Sequence, residues 1–426
     1  MSVRPREPRR RQLLALLGAD AISLGGNAMA VLAIPWFVLQ TTASASKTGL
    51  AAAAALLPLI VSGGLGGALV DRIGYRRTSV IADLASGVAT AAIPLLHITI
   101  GISLWQLLAL VFLGGLLDTP GSSARAALLP DAAEKAAWTI ERVTGAAAVV
   151  ERGSRLVAAP LAGVLLAAFG ATAVLWIDAA TFVVSSALVF IAVPATRSQR
   201  RGDDQQTYLA DVREGYRYLR GEPVLMPMVL IITATNMLDA VSIVALPVYA
   251  RDVYGSALAL GVLSGAIGGG AVIGAIAFSA FGDRVSRRRL FSWGLLIVTA
   301  WYLVAAAFPP LWAFVAAMIV AGIAAGPVNP VVDTVLLERV PVGLRGRVFG
   351  AVSAMAWGAM PLGVLIAGPL VDRFGLRATF VGTGALYFSV ALAGTWIPSL
   401  SAMDRTQDRP SDKRAWRAGA EPTDGA

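Results

Sequence analysis

Ionisable side chains are scarce along this chain, and several of them interrupt apolar runs. Between residues 143 and 169, Glu151, Arg152 and Arg155 stand among Ala, Val, Gly and Leu. Glu151 and Arg155 are four apart, so a helix places them on one face and within pairing reach. Asp20 and Asn27 lie in the first apolar run, Asp118 in the fourth, and Asn236 and Asp239 in the seventh. A carboxylate in a low-dielectric setting can load and unload a proton near neutral pH. Within a bilayer a charged group costs at least about 2.5–3.5 kcal/mol on insertion scales, so each one retained there invites a functional role. Asp20, Glu151 and Asp239 are the leading candidates for proton coupling. For Glu151 and Arg155, a proton-responsive pair and a fixed salt bridge are equal readings. Asp83, Arg125 and Asp333 fall within a few turns of the cytoplasmic helix ends, where capping or gate salt bridges are the simpler assignment. Asp178 reads as structural.

The elements that must carry these residues are membrane helices. Of 426 residues, 57% are hydrophobic and only 14% charged, far below the ~25% charge of soluble domains. Apolar blocks of about 20 residues alternate with short basic loops. They give twelve spans near 12–40, 48–70, 78–99, 104–128, 143–169, 171–193, 223–250, 256–281, 290–308, 311–335, 346–370 and 378–398. This is an all-α membrane protein of two six-helix bundles, 12–193 and 223–398. A basic tail (1–11) precedes them and a polar, disordered tail (399–426) follows. Between them, 194–222 carries Tyr208, Val212, Tyr216 and Leu219 at helical spacing among arginines. An amphipathic helix at the cytoplasmic membrane surface is expected there.

Composition also excludes chemistry. Without cysteine there is no disulfide, zinc–thiolate site or thiol nucleophile. The single histidine, His97, reads as an interfacial polar residue. No lysine follows a glycine, so no phosphate-binding loop of the ATPase type is present. An enzyme is not expected, nor a metal or cofactor. The net charge of +9 is not a nucleic-acid stripe. It collects in loops on one side, with only Lys47, Arg251, Arg373 and Arg377 on the other, a topological bias that places both termini in the cytoplasm.

One charged knot organises the chain. Gly67-x-x-x-Asp71-Arg72-x-Gly74-x-Arg76-Arg77 follows a run, 48–70, without a formal charge. Gly282-Asp283-Arg284-x-x-Arg287-Arg288-Arg289 repeats the pattern in register in the second half. Ala33, Pro35, Ser44 and Gly49 likewise match Ala245, Pro247, Ser256 and Gly261, and Asn27 falls opposite Asp239. A parallel repeat of six helices is the transporter layout in which substrate sits between the halves at mid-membrane.

With twelve spans, a central loop and this knot, the chain resembles the major facilitator superfamily of transporters over nearly its whole length. Gly67, Asp71, Arg72, Gly74, Arg76 and Arg77 match the signature loop between helices 2 and 3. That resemblance implies a charge relay from Asp71 and Arg72 to neighbouring helix ends, latching the outward-facing state. Arg345-Gly346-Arg347-Val348-Phe349-Gly350, after Pro341, resembles the loop before helix 11 in the drug:proton antiporter branch that includes macrolide-efflux proteins. Asp20, Ser23, Gly25 and Pro35 in the first helix fit that branch. In helix 5, Pro160 and Gly163 keep half of the efflux pattern Gly-Pro-x-x-Gly-Gly. Asn27 stands where the branch commonly has an acid, and Val285-Ser286 replace the glycine of the second knot. The resemblance implies a monomeric plasma-membrane antiporter, with Met29, Trp36, Phe37, Met237, Trp357 and Met360 offering an apolar wall if they are not simply packed. Ordinary packing is the better reading for most of these six. Export of another class of molecule (a lipid or siderophore), uptake of a solute, and a receptor or scaffold that no longer transports stay open at this point.

Overall fold

The computed structural model describes residues 7–61, 73–194 and 208–404. Among them, nine helical runs are apolar and long enough to cross a bilayer. Two runs fold back, at Gly170 (φ 79°) and Gly375 (φ 76°), a backbone that glycine adopts without a Cβ penalty. Each therefore supplies two spans. Ala45–Val61 is a further, shorter apolar helix, and residues 62–72 after it lie outside the described ones. The twelve helices are α1 (Glu7–Thr42), α2 (Ala45–Val61), α3 (Tyr75–Thr99), α4 (Leu104–Ala136), α5 (140–169) and α6 (171–192). The second bundle has α7 (Leu225–Asp252), α8 (Ala257–Phe281), α9 (Arg287–Ala306), α10 (Leu311–Arg339), α11 (345–374) and α12 (376–396). Helices satisfy every backbone group internally, which a hydrocarbon environment demands.

Leu13 and Leu16 of α1, Leu128 and Ala132 of α4, Val143 of α5 and Val189 of α6 share one buried cluster. It lies at the end of the molecule where the chain enters, here called proximal. The opposite, distal end holds the α1–α2 turn and the folds at Gly170 and Gly375. Several helices outrun their expected spans at the proximal end; α4, for example, reaches Ala136 and α10 reaches Arg339. The apolar window stops where charge begins, but a helix leaving the membrane does not. α4 ends only at Ala137, whose left-handed backbone (φ 56°) lets Trp138 N–H bond the Ala133 carbonyl.

A linker helix, Tyr208–Gly221, forms where the amphipathic pattern lies. It is docked on the second bundle rather than simply resting at the surface. Glu214 pairs with Arg347 at 2.9 Å, the Tyr218 hydroxyl donates to the Arg339 carbonyl, and Gly215 packs on the Arg347 backbone.

Small residues set the helix contacts, as is usual where lipid removes the hydrophobic drive between helices. Between the bundles, α5 meets α8 and α2 meets α11. A Cβ on Gly163 would stand 2.6 Å from the Gly261 Cα, and one on Gly49 would stand 2.5 Å from the Val364 carbonyl oxygen. Among the described residues, these approaches and the hydrogen bonds crossing between the bundles lie in the distal half.

Candidate functional site

Asp20 and Asn27 are seven apart on α1, and Asp118 and Arg125 are seven apart on α4. Seven residues are two helical turns, so each pair shares a face. The helices run antiparallel, and the faces meet as two rungs. Arg125 Nε donates to Asp20 Oδ1 at 2.5 Å, and Asn27 Nδ2 donates to Asp118 Oδ2 at 2.9 Å. Arg125 also reaches Asp83 of α3 at 2.6 Å and the Ser23 hydroxyl at 3.4 Å. The Ser185 hydroxyl of α6 donates to the second Asp83 oxygen at 2.7 Å. Three helices thus meet at one guanidinium, and α6 joins them through Asp83.

Of the two assignments for Asp83 and Arg125, capping or a gate salt bridge, the structure shows a salt bridge, buried rather than at a helix end. Arg125 is 1% and Asp83 0% exposed, whereas Asp20 keeps 17% of its side-chain surface open. At 1.5 Å per residue, Arg125 lies roughly 17 Å from the proximal end of α4. One oxygen of Asp118 finds no protein partner among the described residues. Asp178 of α6 is buried beside Thr181 and Gly26.

A second buried carboxylate sits in the other bundle. Asp239 lies where α7 is interrupted at Ala240, near its midpoint. It accepts hydrogen bonds from the Tyr302 hydroxyl of α9 at 2.8 Å and the Tyr387 hydroxyl of α12 at 3.5 Å. The nearby Asn236 donates to the Ala356 carbonyl of α11 rather than to Asp239.

Glu151 and Arg155 form their i,i+4 pair at 3.1 Å, with 53% and 60% of their side-chain surfaces exposed. The charged face of α5 looks across to the second bundle, for Arg152 lies within electrostatic reach of Asp333 on α10. Glu151 in turn lies within reach of Asp20. Glu151 and Arg152 thus lie near charges of the first and second bundle respectively. Where α5 meets α1, the Ser154 hydroxyl donates to the Ala21 carbonyl at 3.1 Å. A recess of about 320 Å³ opens there, lined by Gly25, Met29, Ser154 and Val157. Met29 lines this recess although only 6% of its surface is exposed. Trp36 and Phe37 do not line it and are buried in helix packing at 4% and 3% exposure. His97 packs edge-on against Phe37.

Pro160 and Gly163 both sit at the α5–α8 contact, Pro160 against Gly265 and Gly163 against Gly261. Of the first knot, Gly67, Asp71 and Arg72 lie outside the described residues, as does the Asp283 side chain of the second. Gly74 begins α3 with φ 84°, Arg76 donates to the Phe190 carbonyl at 2.6 Å, and Arg77 is exposed. Arg284 lies over the Phe281 ring. Arg345 caps the Leu337 carbonyl of α10, and Arg347 holds the linker helix.

A family model described as transmembrane secretion effector matches residues 7–420. The chain belongs to that family, within the major facilitator superfamily. Among its relatives, the multidrug efflux pump Tap of Mycobacterium tuberculosis is 30% identical, over 96% of this chain and 98% of the relative. Macrolide efflux protein A of Streptococcus pyogenes is 22% identical, over 90% and 95%. The nucleoside transporter NupG shares the fold with a TM-score of 0.76 at 13% identity, covering 91% of this chain and all of NupG. A bacterial homologue of the human lysosomal transporter Spinster does so at 0.73 and 16% identity, covering 95% and all of that chain. The transmembrane secretion effector fold is thus the expected one of two six-helix bundles. Its relatives are transporters rather than enzymes, and the efflux resemblance read from residues 345–350 and the first helix agrees with them.

The sequence undervalued Arg125, Asp83, Tyr302 and Tyr387. For Arg125 a signal was available, the seven-residue spacing to Asp118 matching that of Asp20 to Asn27. Tyrosines in apolar runs carry no such mark.

Proposed function

We propose that this protein exports hydrophobic or amphipathic small molecules, drugs of the macrolide type among them, in exchange for protons by alternating access. The observation that carries the proposal is the two-rung ladder between α1 and α4. Around one guanidinium it gathers Asp20, Asp83 and Asp118, more carboxyls than Arg125 can neutralise. A low-dielectric core tolerates such an excess when protons make up the balance, so the cluster is suited to take up and release them. Asp20 is the entry point, because it alone of the carboxylates bonded to Arg125 keeps open surface. Protonating Asp20 weakens its hold on Arg125. Arg125 then shifts weight to Asp83, and the α1–α4 contact changes beside the α1–α5 recess.

Substrate reaches that recess from the gap between the bundles, past Glu151 and Arg155. The largely apolar lining suits a bulky, amphipathic molecule. Asp239 with its two tyrosines gives the second bundle a proton site of its own. The names of the efflux relatives support export as the direction. The arginine-rich proximal loops support cytoplasmic termini and a multi-pass place in the plasma membrane. The protein works as a monomer, draws on the proton gradient without a cofactor, and has the bilayer and its substrate as partners.

Purified protein in liposomes under an imposed pH gradient tests this with a labelled macrolide. Gradient-driven accumulation is expected, abolished by Asp20→Asn or by collapsing the gradient. Accumulation that ignores the gradient contradicts proton coupling.

A further inference from the structure

At the distal end, Gly368-x-x-x-Asp372-Arg373-x-Gly375-x-Arg377 repeats the charged knot almost residue for residue, with Leu-Val before the aspartate in both. The two loops are also built alike where both are described. Gly74 and Gly375 turn the chain with φ 84° and 76°. Arg76 donates to the Phe190 carbonyl at the end of α6 and lies 4.7 Å over the Phe190 ring. Arg377 donates to the Ala306 carbonyl at the end of α9 and lies 5.1 Å over the Phe308 ring. The described part of the first loop stands at the proximal start of α3, and the second loop stands at the distal end of α11.

The distal aspartate crosses to the other bundle. Asp372 accepts hydrogen bonds from the Ala45 and Ser46 amides at 3.0 and 2.8 Å and from the Ser46 hydroxyl at 2.6 Å. The Ser44 hydroxyl adds a bond at 3.3 Å. A carboxylate from α11 therefore caps the N-terminus of α2, where free amides and the helix dipole favour negative charge. Gly368 makes the approach possible, because a Cβ there would stand 2.5 Å from the Ser46 Cα.

We propose that the 368–377 loop is a gating element for transport, with Asp372 as the latch that holds the distal end shut. The inference rests on the alternating-access reading. The latch engages in the distally closed state seen here and parts whenever α2 and α11 separate at that end, so Asp372 sets the balance between the two facing states.

The chain has no cysteine, so introduced cysteines can carry spin labels without background. Ile100→Cys with Ala307→Cys reports the distal mouth, and Glu134→Cys with Val342→Cys the proximal one, in the full chain in lipid nanodiscs. With Asp372→Asn, a longer distal distance should rise at least threefold in population while the proximal distance shortens. A merely structural contact would not produce that reciprocal change. Should Asp372→Asn not fold, Ser44→Ala with Ser46→Ala removes the hydroxyl donors and is expected to shift both pairs in the same directions. Wild-type distances that move with added macrolide or acid, while the variants match wild type, overturn the latch alone. Wild-type distances that never move overturn alternating access and the latch with it.

Discussion

At Arg125 one side chain ties three helices and carries two carboxylates, so its removal separates packing from proton chemistry. Arg125→Met leaves Asp83, at 0% exposure, buried without its partner. Breaking a buried pair in this way costs about 3–5 kcal/mol, and the melting temperature in detergent should fall sharply. Asp118→Asn removes a carboxylate but keeps an acceptor for Asn27, so the melting curve should hardly move while gradient-driven transport fails. Asp372 behaves differently. Partial burial pushes its carboxyl up, but the bonds from Ser46, Ala45 and Ser44 outweigh this and hold it below its ordinary value. A depressed carboxylate contributes in full above the ordinary aspartate value of about 3.9 and fails only as pH falls through the lowered one. The Asp372→Asn shift in distal distance should therefore have the same size at pH 7.5 and pH 5.5. At this scale the sequence was partly legible. Buried acids could be named because charge is rare in apolar runs, but their partners come from other helices, and no spacing along one helix reveals Tyr302 or Tyr387 beside Asp239.

Among elements, the helices were legible because apolar length is what the bilayer selects. Their proximal ends were not, since α4 and α10 continue beyond the hydrocarbon where hydropathy carries no signal. The half-kept motif of α5 gains a physical meaning at the α8 contact, where Gly163 and Gly261 meet backbone to backbone. Gly163→Val should force these helices apart at the distal end and abolish transport, while Gly145→Ala, with open space around it, should be tolerated; vesicle transport assays check both. Gly375 holds a backbone region that is essentially glycine-only, at a cost of about 1–3 kcal/mol for other residues. Gly375→Ala should lower thermal stability by that order, as read by melting in detergent.

The whole molecule is two six-helix bundles that touch, among the described residues, in their distal halves. The parallel repeat was legible from the two proximal knots in register. Their distal counterpart at 368–377 was not, because Arg373 and Arg377 counted only as exceptions to the loop charge bias, although Asp372 closes the molecule at that end. Each bundle keeps a buried carboxylate network near its middle, and the first of these adjoins a recess for an apolar molecule. The central claim is that this network gives up a proton when substrate binds. Calorimetric titration of a macrolide into purified protein, repeated in buffers of different ionisation enthalpy, counts that proton directly. Wild type should release a proton near neutral pH, and Asp20→Asn should bind with little or none released. Binding whose heat is the same in every buffer would contradict the account.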